Sequence, residues 1–169
     1  YSDASLRPSG EILKRNTRDV TGLWAHGISG DLPIVVLRID DVEERGIVRQ
    51  LLKAQEYLAT KRFAVDLVIL NEKANSYTQE LQNTLESMVH SSLGVGHSPL
   101  PQTRGKVFIL RADLLPPADV DLLCAAARAT LSSHLGNLAE QVKRMRQVLP
   151  ETPTRRRTPL PARADTTLP

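Results

Sequence analysis

Residues 23–40 read LWAHGISGDLPIVVLRID, and their second half decides the fold. Leu32 to Ile39 is an apolar run rich in β-branched residues. A strand with one wet face alternates apolar and polar side chains. A near-continuous run suits a strand covered on both faces, and such strands are typical of parallel sheets. Asp40-Asp41 stops the run and supplies a helix N-cap. Glu43 and Glu44 fall in the first turn that follows, where carboxylates suit the helix dipole. From there to about Ala59, the residues Ile47, Leu51, Ala54 and Leu58 recur at helical spacing, with Val48 and Leu52 beside them. Arg49, Lys53 and Glu56 take the opposite face, so the helix is amphipathic and lies on a sheet.

Outward from this β-α unit the pattern repeats. Ala64 to Leu70 (AVDLVIL) predicts a second strand, followed by a polar loop from Asn71 to Asn75. Ser76 has Gln79 three residues on, a capping-box spacing. Tyr77, Leu81, Leu85, Met88 and Val89 give the next helix its apolar face. Leu93-Gly94 ends it, as a glycine C-cap does. Val95 to Gly105 reads as a surface loop long enough to move. Lys106 to Arg111 (KVFILR) predicts a third strand, and Asp113 to Pro117 a turn. Ala118 to about Ser132 reads as one alanine-rich helix, broken near Gly136. Leu135, Leu138, Val142, Met145 and Leu149 mark a last helix.

The expected order is β-α-β-α-β-α-α, a three-layer α/β unit with a short parallel sheet and right-handed crossovers. Three strands make a small sheet, so the unit is expected to lean on a neighbouring domain. Residues 1–20 read as an irregular connecting arm. It has a turn at Pro8-Ser9-Gly10 and a short helix within Glu11–Arg18, whose Ile12 and Leu13 offer too little surface to dock firmly. Residues 21–149 form the α/β domain. Residues 150–169 are a Pro/Arg/Thr-rich linker or tail, too poor in large apolar side chains to offset the entropy of ordering, and are expected to be disordered.

Composition narrows the function classes. The 169 residues are 41% hydrophobic and 24% charged, ordinary for a globular domain. No apolar run approaches the roughly 20 residues that span a bilayer, and the amino terminus lacks the pattern of a signal peptide. The net charge is +3, but four arginines against Glu151 and Asp165 place +2 of it in the tail. A nucleic-acid-binding fold carries its basic patch on the fold itself, and single-strand binders need aromatic platforms. With 4% aromatic residues, no nucleic-acid partner is expected. The lone Cys124 excludes an internal disulfide and reads as core.

Two places could carry chemistry. In open parallel sheets ligands bind beyond the carboxyl ends of the strands. There Asp40, Asp41, Asn71, Glu72 and Asp113, with Lys73, could converge to bind a metal or act on a sugar or phosphate. The competing reading makes the aspartates helix caps and turn formers. No GxGxxG or GxxxxGK[ST] loop follows a strand, which disfavours a dinucleotide or nucleotide site, and no cofactor is expected. The second place is the loop Trp24–Asp31. Trp24 could stack on a sugar, and His26 and Asp31 could hydrogen-bond its hydroxyls or form an acid–base pair. The alternative has Trp24 packing the loop onto the sheet edge and Asp31 satisfying loop amides. His90, His97 and His134 show no metal-ligand spacing and read as surface residues. Arg155, Arg156 and Arg157 could touch an anionic partner but read as solvated linker.

The segment LWAHGISGDLPIVVLRIDD resembles a segment of the bacterial cyclic β-1,2-glucan synthases. The likeness continues through IVRQLLKAQEYLATKRFAVDLVILNEKANSYTQELQNTLE and KVFILRADLL, and covers roughly residues 20–140 in order. Those synthases are very large inner-membrane proteins. They join a processive glycosyltransferase domain using UDP-glucose to a C-terminal region similar to cellobiose-type glycoside phosphorylases. The resemblance implies a soluble piece of that C-terminal region on the cytoplasmic side of the membrane. Its partners would be β-sandwich and helical-barrel modules of the same polypeptide, with β-glucan as a further contact. The family's catalytic residues belong to the barrel and the glycosyltransferase part, so none is expected here. The open alternatives are a small enzyme acting at the strand carboxyl edge and an interaction domain with a basic tail.

Overall fold

A computed structural model describes residues 10–73, 78–95 and 105–148. The apolar run becomes strand β1 (Ile34–Ile39), which lies inside the sheet as its sequence requires. The sheet is wholly parallel, with β1 between β2 (Asp66–Asn71) and β4 (Ala129–Ser132), and β3 (Val107–Arg111) outside β2. The register sets Leu37 opposite Ile69 on one side and Leu131 on the other. Leu37, Ile39, Leu67, Ile69 and Leu131 therefore share one face. They pack with Ile47, Val48, Leu51 and Leu52 of α2 (Arg45–Thr60) and with Leu81, Leu85 and Val89 of α3 (Thr78–Val95). Leu138, which opens α5 (Leu138–Val148), joins this layer. On the other face Ile34, Val36 and Val68 pack under Leu122 and Leu123 of α4 (Pro117–Ala126). Each fully buried Leu or Ile contributes about 1.5–3 kcal/mol relative to exposure. Two covered faces explain why all six residues of β2 are buried. This is the expected three-layer α/β unit with a short parallel sheet.

The single helix expected over 118–132 is corrected: α4 stops at Ala126, and Ala129–Ser132 is a fourth strand. Alanine favours helix, but the free edge of β1 offers a ladder and Leu131 fills the core against α2. Pairing begins with the Arg128 N–H donating to Ile34 O at 2.8 Å, and tertiary context overrides propensity. The chain order is thus β-α-β-α-β-α-β-α, and the sheet is larger than three strands. Its order β3-β2-β1-β4 has a consequence for function. The chain winds outward from β1 through β2 to β3, then returns to the far side of β1. The carboxyl ends of β1 and β4 therefore flank a topological switch point, the usual ligand crevice of open α/β sheets.

In the amino-terminal arm, helix α1 (Gly10–Arg15) lies against α4 and buries none of its residues. Arg15 pairs with Asp121 of α4 at 3.1 Å, and Arg18 pairs with Asp119. Pro8, Ser9, the Ser76 cap, His97, most of the 95–105 loop and the 150–169 tail lie outside the described residues. Among the described residues no helix is long and apolar enough to cross a membrane.

Candidate functional site

The amino end of β1 is closed by a 3-10 helix, Val20–His26, capped by the Asp19 side chain. Gly27 ends it with φ +75°, a left-handed conformation that glycine adopts without strain. Leu23 and Ile28, both fully buried, plug this end. Trp24 does not pack onto the sheet edge: it is 62% exposed, and its Nε1 donates to Ser29 O at 3.2 Å, which fixes the indole orientation. His26 turns inward instead. Its Nε2 lies 3.1 Å from Asp119 Oδ2, while the other oxygen of that buried carboxylate takes Arg18. Asp31 stays exposed, and its N–H donates to Ser29 Oγ at 3.2 Å. It lines a shallow cavity of about 240 Å3 with Gly30, Pro33 and Arg128. Trp24 and Asp31 therefore share one loop through Ser29, but His26 serves Asp119 and is not paired with Asp31.

At the opposite end the five polar residues expected to converge are mostly committed separately. Asp113 takes Arg111 at 2.6 Å, and that hydrogen bond holds its carboxyl below the usual range. Glu72 accepts from Arg38 Nε at 2.8 Å. Asn71 is buried, donates to Gln82 Oε1 at 3.2 Å and accepts from the Lys73 N–H at 3.1 Å. Asp41 accepts from the Glu43 N–H at 3.0 Å, the capping role expected of it. The structure does not gather these five around one ligand.

Asp40 alone turns toward the switch point. The His134 imidazole stands between two carboxylates: Nε2 is 3.0 Å from Asp40, and Nδ1 is 3.4 Å from Glu44 Oε1. Asp40 ends β1, Glu44 precedes α2, and His134 follows β4. The hydrogen bond to Asp40 raises the His134 pKa above its ordinary value, with the charges of Asp40 and Glu44 adding to it. One donor atom from each of the three residues lies within 4.8 Å of the others, a set that among the described residues could hold a metal ion. Sequence reasoning placed His134 on the surface, and its side chain is 62% exposed. Its partner is 94 residues away, so only the existence and position of β4 could have revealed the pairing. Cys124 is buried on α4, and burial pushes its thiol pKa up, away from nucleophile chemistry.

No family model matches the chain. Over 144 residues, 85% of the chain, it is 40% identical to a protein of Rhizobium meliloti (strain 1021) named cyclic beta-(1,2)-glucan synthase NdvB. The matched stretch spans only 5% of that relative's own length. The resemblance read from the sequence is thereby borne out: the chain is similar to a segment of a cyclic β-1,2-glucan synthase.

Proposed function

We propose that this chain is a non-catalytic α/β module of a cyclic β-1,2-glucan synthase, and that it docks through the Trp24 loop onto a neighbouring module of the same polypeptide. The parent would be a glycosyltransferase of the bacterial inner membrane with a glycoside-phosphorylase-like region, and this module would sit on its cytoplasmic side. The observation that carries the docking role is the Trp24 indole. It is 62% exposed yet held in one orientation by its bond to Ser29 O, beside Val20, which is 43% exposed. A fixed, exposed aromatic loses little entropy on contact and is the kind of anchor that dominates interfaces. The separate pairing of Asp113, Glu72 and Asp41 further supports a module without its own acid–base centre.

The same indole supports a second reading, contact with β-glucan, because a flat exposed ring suits the face of a sugar. Saturation-transfer NMR of the chain with linear and cyclic β-1,2-glucans separates the two. Docking predicts no transfer from the isolated chain. It also predicts that Trp24→Asp in the full-length synthase lowers glucan output and opens new protease cuts around the module. Transfer that disappears in Trp24→Ala would replace docking with sugar contact. A full-length Trp24→Asp synthase with unchanged output and unchanged cleavage would sink both.

A further inference from the structure

The group at the carboxyl ends of β1 and β4 has acceptor capacity that the protein itself does not use. Nε2 of His134 stands 3.0 Å from both Asp40 oxygens and so serves that carboxylate as a whole. Glu44 Oε2 is shielded from solvent and accepts no hydrogen bond. The same is true of Ser133 Oγ, in a residue only 5% exposed. Ser133 lines a cavity of about 310 Å3 together with Glu44, Gln50, His134, Gly136 and Asn137. Of the five buried side-chain polar atoms left without a hydrogen bond among the described residues, Glu44 Oε2 and Ser133 Oγ thus belong to residues lining this one cavity. Buried polar atoms are normally paired, and each unpaired one calls for a specific reason.

We propose that Asp40, Glu44 and His134 bind one divalent transition-metal ion of the zinc type at the switch point, with Ser133 Oγ held for a water on that ion. The chemistry of the set selects the class. One imidazole with two carboxylates suits a borderline ion, whereas magnesium and calcium prefer all-oxygen shells. Donors around a zinc ion at about 2.0–2.2 Å stand about 3.3–3.6 Å from one another. One imidazole nitrogen and one oxygen of each carboxylate already lie within 4.8 Å of one another, and must draw closer to reach that spacing. Small side-chain rotations bring one donor of each residue onto a common centre, and all three side chains have solvent on one side to permit it. The ion takes the place of the proton now shared between Nε2 and Asp40, which leaves to solvent. An imidazolium bridge alone reaches Asp40 and Glu44 Oε1 but leaves Glu44 Oε2 and Ser133 Oγ unmet. An ion with its bound water can engage both.

Titration of the full 169-residue chain with Zn2+ against a chelating indicator tests this, with circular dichroism confirming that each variant is folded. The expected result is one ion per chain. Asp40→Asn, Glu44→Gln and His134→Gln should each weaken binding by about tenfold or more, since even outer-shell partners of metal ligands matter at that level. His90→Gln, an exposed histidine on α3, should leave the affinity unchanged. NMR should show the His134 ring nitrogens shifting on Zn2+ addition while those of His90 stay put. An absence of saturable binding would overturn the site. So would binding that is indifferent to His134→Gln, or that falls equally with His90→Gln.

Discussion

The two ends of β1 are built for different purposes. At the amino end, apolar plugs and committed charges leave little for a ligand. Leu23 and Ile28 are fully buried, and Asp119 divides its two oxygens between His26 and Arg18. On the same side of the sheet, before β2 and β3, Gly105 leaves no room for a Cβ against the Val65 carbonyl, so the two backbones are in contact. At the carboxyl end, Glu44, Ser133 and His134 line a cavity with acceptors still open, and Asp40 pairs with His134 beside it. The contrast shows how one strand can serve as a joint at one end and present a candidate site at the other. Packing and charge satisfaction separate the two more clearly than residue type does, because both ends carry a histidine paired with an aspartate.

The sharpest way to break this comparison is at Leu23. Leu23→Ala leaves a hole in the layer under α4 and should cost about 2–5 kcal/mol in urea unfolding. Its neighbour Trp24→Ala should cost only about 0.5 kcal/mol, because the indole is 62% exposed. If the two substitutions destabilise equally, the amino end is not plugged by Leu23, and the docking role of Trp24 loses its basis. Next comes Asp119→Ala, which strands the half-buried His26 imidazole and frees Arg18. The loss should be about 1–3 kcal/mol, since His26 keeps little access to water while Arg18 can reach it. A cost near zero would mean that the arm does not depend on this carboxylate.

Gly46 tests the other end in the opposite direction. It lies in the first turn of α2, and a Cβ there meets nothing within 4 Å. Gly46→Ala should raise stability by about 0.5–1 kcal/mol, by removing backbone freedom from the unfolded chain at no steric cost. A loss would show that the cavity beside Gly46 is filled in a way that the side chains around it do not reveal.

Much of the amino-end architecture was legible in the sequence, and little of the carboxyl-end site was. β1, α2 and β2 were readable because burial on both sides writes long apolar runs and because Asp40-Asp41 marks a cap. β4 was not readable. It has four residues in an alanine-rich context, and only the unpaired edge of β1 makes Ala129–Ser132 a strand. Losing β4 hid the switch point and, with it, the pairing of His134 with Asp40. The strand-end carboxylates were rightly noticed as polar groups on one edge. Which of them meet depends on strand order and on nearby arginines: Arg38 takes Glu72, and Arg111 takes Asp113. Trp24 was noticed too, but a single aromatic in a loop cannot say whether it plugs or projects. Leu23 beside it takes the buried position, and that is a matter of the 3-10 helix phase.

The smallest expected effect concerns His134 in the metal-free chain. Its hydrogen bond to Asp40 raises its pKa above the ordinary value of 6.5. A group with a raised folded pKa binds its proton more tightly folded than unfolded. The bridge between β4 and β1 is therefore fully present below pH 6.5, fades as pH rises through the raised value, and is gone above it. With EDTA present, NMR titration should place the His134 midpoint above 6.5, and Asp40→Asn should bring it back down. The unfolding midpoint of the wild-type chain should fall slightly over the same pH interval, and that of His134→Gln should not share the decline. The effect is small because the imidazole is exposed and its ion pairs are screened by water. A midpoint at or below 6.5, or one unmoved by Asp40→Asn, would mean that the carboxyl end of β1 does not hold His134 at all. The contrast between a sealed end and a poised one would then rest on the buried acceptors alone.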